Sequence, residues 1–102
     1  MSIEQQTITT SGSTLFTSSG SNAITAMYFM NDHSGTVVIQ LHVVKSGGSI
    51  SSANKIIKDL SIAAGDTYVI DTEKLLLDNG DTIRATADVD SVVNVTTSYI
   101  GV

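Results

Sequence analysis

Short stretches of apolar–polar alternation, interrupted by a turn signal about every ten residues, constrain this chain more than any other feature. Between residues 36 and 45, Val37, Ile39, Leu41 and Val43 alternate with Val38, Gln40, His42 and Val44. Between 82 and 88, Ile83, Ala85 and Ala87 alternate with Thr82, Arg84, Thr86 and Asp88, and between 91 and 100, Val93, Val95, Thr97 and Tyr99 alternate with Val92, Asn94, Thr96 and Ser98. Side chains in a strand point alternately to opposite faces, so each pattern describes a strand with one face toward a core. Lys55 to Ile62 reads the same way, with Ile57, Asp59 and Ser61 against Ile56, Lys58, Leu60 and Ile62, and 67–71 is a short strand around Tyr68 and Ile70. Ala23 to Met30 is apolar on both faces, Ile24, Ala26, Tyr28 and Met30 on one and Met27 and Phe29 on the other.

Between these runs stand Asn31-Asp32-His33-Ser34-Gly35, Ser46-Gly47-Gly48-Ser49, Ala63-Ala64-Gly65-Asp66 and Asp78-Asn79-Gly80-Asp81, all turn compositions. Lys74-Leu75-Leu76-Leu77 is the one stretch that suggests a helical turn, with Thr72 as its cap. No segment is long enough for the helical crossovers of a parallel sheet. The expectation is therefore an all-β fold, an antiparallel β-sandwich of jelly-roll or immunoglobulin-like kind with seven to eight short strands. Residues 1–22 are rich in Ser and Thr with apolar spots at Ile3, Ile8, Leu15 and Phe16. They read as one or two edge strands or as an arm that orders on a partner, and the β-branched content favours strands. The sandwich proper is expected over 23–102.

Composition excludes several functions. A chain of 102 residues buries very roughly 65% of its unfolded surface, enough for one core. Cysteine is absent, which removes disulfides, thiolate metal sites and a cysteine nucleophile. The first residues, Met-Ser-Ile-Glu-Gln-Gln, have neither the basic nor the apolar region of a signal peptide, and no apolar run reaches membrane-spanning length. Ten acidic residues against five basic ones give a net charge of −5, so a nucleic-acid partner is not expected.

Chemistry-bearing residues are few. His33 sits in a turn and His42 in a strand, at no metal-ligand spacing, and His42 reads as a surface or interface residue. Asp71, Glu73, Asp78 and Asp81 form the most acidic stretch, but the Asx-Gly turn accounts for its residues without calcium. Ser46-Gly47-Gly48-Ser49 lacks the Gly-Lys-Ser/Thr ending of a phosphate loop. No serine has an activating neighbour pattern, so no catalytic residue, metal or cofactor is assigned. The five aromatic residues and the absence of tryptophan disfavour a carbohydrate-binding module.

The segments His42-Val43-Val44-Lys45-Ser46-Gly47-Gly48-Ser49, Ala63-Ala64-Gly65-Asp66-Thr67-Tyr68 and Leu77-Asp78-Asn79-Gly80-Asp81-Thr82-Ile83 resemble a pattern of small structural proteins encoded among the head and tail genes of tailed bacteriophages. Lys45 stands where that pattern has a proline, which bears on the rigidity of one turn. The resemblance covers about residues 23 to 100. It implies a virion structural protein made in the host cytoplasm: a capsid decoration or cement protein, or a neck or tail accessory. Its implied partners are further copies of itself, as a homo-oligomer and most often a trimer, and the major capsid protein or tail and neck subunits. The residue pattern adds a location for the contact. A two-sheet sandwich buries one face of each strand, so the surplus apolar side chains Met27, Phe29, Val38 and Val44 mark an interface, with Gln40 and His42 on the same face as Val38 and Val44.

Overall fold

The computed structural model describes residues 2–70 and 75–102. The described chain is all-β, with nine strands: β1 (Ser2–Ile8), β2 (Ser13–Thr17), β3 (Asn22–Asn31), β4 (Val37–Val44), β5 (Lys55–Ile62), β6 (Thr67–Ile70), β7 (Leu75–Leu77), β8 (Thr82–Ala87) and β9 (Val93–Gly101). They form two antiparallel sheets packed as a sandwich. One runs β1-β9-β3-β6 with β7 also on β3, and the other runs β2-β8-β4-β5. In chain order β1 pairs β9, β2 pairs β8, β3 pairs β6 and β7, and β4 pairs β5, so the chain is one long hairpin wrapped around a core. That wrapping is the jelly roll.

Both sheets contribute inward rows to one core. β4 supplies Val37, Ile39 and Leu41, β8 supplies Ile83, Ala85 and Ala87, and β9 supplies Val93 and Val95, all buried as the alternation requires. Residues 2–22 provide one edge strand to each sheet, with Ile8, Leu15 and Phe16 fully in the core. The Phe16 ring lies 4.5 Å from that of Tyr99, tilted by 55°, an arrangement that aromatic quadrupoles favour.

Three bulged strands break the alternation. On β3 an extra residue at Thr25, opposite β9, shifts the phase, so Ile24 and Met27 both point inward. The faces expected for Ala23–Met30 are corrected accordingly: Met27 and Phe29 are core residues, and Tyr28 and Met30 point outward beside Ala26. On β5 two register shifts put Ile57, Leu60 and Ile62 on the side facing β4's core residues and leave Ile56 exposed. On β2 the shift between Thr14 and Phe16 lets consecutive residues, Leu15 and Phe16, both be buried. The helical turn expected at Lys74–Leu77 is also corrected. Leu75–Leu77 is strand, because the free edge of β3 at Asn22–Ile24 offers it a ladder. Thr72 and Lys74 lie outside the described residues.

Polar side chains fix the loops at both ends. Asn31 is fully buried, its Nδ2 donating to the carbonyls of Gly35 (3.0 Å) and Ile62 (2.9 Å) while its Oδ1 accepts from the His33 amide (2.9 Å). At the opposite end the Asp81 carboxylate accepts from the amides of Ser46 and Asp78, both at 3.0 Å, and Asn79 Oδ1 accepts from the Gly20 amide at 2.8 Å. Gly80, at φ +88°, sits so close to Ser46 that a Cβ would overlap its hydroxyl.

Candidate interaction surface

The structure separates the six residues expected at an interface. Met27 and Phe29 are in the core. Val38, Gln40, His42 and Val44 do share one side of β4, the outward face of the four-stranded sheet, but the chain covers half of it. The connection between β4 and β5 turns at Gly48, whose amide donates to the Lys45 carbonyl (2.8 Å), and ends in a 3-10 turn at Ser52–Asn54. Across it Asn54 Oδ1 meets His42 Nδ1 at 2.8 Å and the Ser51 amide at 3.1 Å, and Asn54 Nδ2 donates to the Ser49 carbonyl at 2.8 Å. His42 and Val44 are thereby buried, which corrects the reading of His42 as a surface residue. The outward face that remains sets Val38 among polar and charged groups, with Gln40 reaching Asp59 (3.4 Å), Arg84 on β8 and Asp88 just past its end.

The opposite surface is different. Register places four outward rows across the five-stranded sheet. Thr7, Asn94, Met30 and Thr67 form one, Gln5, Thr96, Tyr28 and Val69 the next, Ile3, Ser98 and Ala26 the third, and Ile100, Ala23 and Leu76 the last. None of these positions carries a charge, in a chain with ten acidic and five basic residues. Leu76 is 75% exposed, Ile3 63%, Tyr28 44%, Val69 40% and Ile100 37%. Thr25 Oγ1 donates to the Ser98 carbonyl (3.0 Å) and lies 2.9 Å from Ser98 Oγ, so the polar groups near its centre are paired within the sheet.

The face spans four strands at about 4.8 Å spacing and about 30 Å of strand length, a planar footprint on the order of 600 Å². Corrugation brings it near the ~800 Å² per partner of a standard protein interface. Scattered apolar residues on a surface are ordinary, whereas here Leu76, Ile3, Tyr28, Val69 and Ile100 share one uncharged sheet face with Thr, Asn, Gln and Ser side chains. The linear sequence does hold a signal for it: Asn22–Asn31, Thr67–Ile70, Leu75–Leu77 and Val93–Gly101 contain no charged residue.

Chemistry that could compete with this surface is sparse. Among the described residues no three His, Cys, Asp or Glu side chains are grouped as for a metal ion, and both Asp81 oxygens are engaged by backbone amides. Asp71 and Glu73 lie outside the described residues. No described helix is long and apolar enough to cross a membrane. No family model, curated protein or solved structure matches the chain.

Proposed function

We propose that this protein is a structural subunit that works by assembly, self-associating through the outward face of its five-stranded sheet and clamping onto neighbouring subunits of a phage particle as a capsid decoration or cement protein. The uncharged outward face, with its exposed apolar side chains, carries the reading. An acidic chain gains solubility from its charges, so a surface whose described positions carry none of them and expose Leu76, Ile3, Tyr28 and Val69 is suited to a partner more than to water. The jelly roll is compatible with this role but does not select it, because capsid, lectin and cupin domains share the architecture. The virion context rests on the resemblance of the Ser-Gly-Gly and Asn-Gly-Asp-Thr-Ile segments to small phage structural proteins, which also implies a closed homo-oligomer, a trimer in the usual case, and contacts with major capsid or tail and neck subunits.

Light scattering on the full chain tests the assembly step. The expected mass is a multiple of 10.7 kDa above that of one chain, and it is expected to fall for Tyr28→Lys and Leu76→Lys with an unchanged far-ultraviolet circular dichroism spectrum. A wild-type chain that stays single up to its solubility limit overturns the reading. An electron-microscopy map of the assembled particle, with this chain's density against coat or tail subunits, tests the location.

A further inference from the structure

The sandwich has four sheet edges, and three of them are blunted. β5 carries Lys55, Lys58 and Asp59 and is bulged twice. β2 is five residues long and bulged. β6 and β7 are four and three residues long, and they share one side of β3 in separate pieces. Charge, bulging and brevity are the devices by which natural proteins prevent unwanted strand addition. β1 differs. It runs seven residues, Ser-Ile-Glu-Gln-Gln-Thr-Ile, pairs with β9 residue for residue without a register shift, and contains no proline, glycine, lysine or arginine. Among the described residues its far side is an unpaired row of backbone donors and acceptors at the rim of the uncharged face.

We infer that the free edge of β1 pairs with the same edge of a second copy, antiparallel about a two-fold axis through Gln5, joining two five-stranded sheets into one continuous sheet. The sequence of β1 is self-complementary in this register. Gln5 meets Gln5 of the second copy, Ile3 meets Thr7, Ser2 meets Ile8, and Glu4 meets Gln6, whose amide donates to the carboxylate. Glu4 is the strand's single charge, and it selects the register. A slip that centres the axis on Glu4 would set two carboxylates on residues whose Cα atoms are about 4.5–5.5 Å apart. The join also extends the row Gln5–Thr96–Tyr28–Val69 into the same row of the second copy, so the contact is continuous with the proposed assembly face. It rests on the reading of the chain as an assembly subunit and adds a second, isologous contact to it. A ring built on the sheet face would acquire perpendicular two-folds at its β1 edges, doubling the number of chains.

Cross-linking tests this in a protein with no other cysteine. Gln5→Cys places two sulfurs on the axis, at a Cα separation within the range disulfides accept, and mild oxidation is expected to give a covalent dimer. Glu4→Cys and Gln6→Cys side chains lie away from the uncharged face, so contacts through that face do not bring them together. Each alone is expected to stay uncross-linked, and their equimolar mixture to give a covalent heterodimer. Gln5→Cys that stays single on oxidation, while light scattering shows an assembled protein, overturns the edge pairing and leaves the face contact standing. Single variants that cross-link as fast as the mixture overturn the register, and with it the inference. An edge reserved for a strand of another protein gives no cross-link in the isolated chain and also overturns it.

Discussion

Thr97 offers a sharp test of how this core is held together. It lies in the middle of β9, between Glu4 of β1 and Met27 of β3, fully buried, and its Oγ1 has no hydrogen-bond partner among the described residues. A hydroxyl removed from water and left unpaired costs about 1–3 kcal/mol in protein mutational data. Valine has nearly the same shape, replaces the hydroxyl with a methyl group, and suits a strand at least as well. Thr97→Val should therefore stabilise the fold by about 1 kcal/mol at the low end of that range. Unfolding entropy near 2.1 cal/mol/K per residue gives a chain of this length about 0.2 kcal/mol/K, so Tm should rise by about 5 °C. Thermal unfolding followed by circular dichroism measures this, with wild type and variant at equal chain concentration, because association itself raises Tm. Thr97→Ser keeps the hydroxyl and loses a methyl, and it should be less stable than wild type. A Thr97→Val protein that melts at or below the wild-type temperature would show that the hydroxyl is satisfied in the folded protein, and would refute the argument.

Three further outcomes follow from the loops. Asn31→Ala strips partners from the carbonyls of Gly35 and Ile62 and the amide of His33 at one buried point, and should cost about 3 kcal/mol or more, read as a drop in urea midpoint with m unchanged. Gly80→Ala combines a positive φ with a collision against Ser46, and should cost at least about 1–2 kcal/mol; in a double-mutant cycle Ser46→Gly should recover the collision part and leave the backbone part. Asn54→Ala removes the bond that ties the β4–β5 connection to His42, and should raise proteolytic cleavage within residues 46–54 while the global melt moves by no more than about 1–2 kcal/mol.

The sequence carried the sheets better than it carried the surface. Where a strand runs straight, as in β4, β8 and β9, period-2 alternation assigned the inward residues Ile39, Leu41, Ile83, Ala85, Val93 and Val95 to the face they occupy. Where a strand bulges, the same rule reversed the faces. The trace of a bulge is apolar spacing of three, Ile24 to Met27 and Ile57 to Leu60, or two large apolar neighbours, Leu15 and Phe16. A helical turn at Leu75–Leu77 followed from leucine's propensity, which is too weak to compete with an open ladder on β3. The six-residue interface rested on the idea that surplus apolar side chains must meet another molecule. The chain buries four of the six itself, Met27 and Phe29 by a phase shift and His42 and Val44 under a folded connection. Covers of this kind are tertiary events that local pattern does not encode. The exposed face left its mark only as missing charge.

The wrapping has a consequence in time. β9 lies between β1 and β3, so the sheet that bears the exposed apolar face has no centre until residues 93–101 have left the ribosome. Until then β1 lacks the strand it pairs with, while β3 can already pair with β6 and β7, and β4 with β5. Tyr28, Val69 and Leu76 become a coherent patch only when synthesis has passed them all. A chain still being made therefore lacks the part of the face that β9 supplies and the register that places Ile3 and Gln5 beside it.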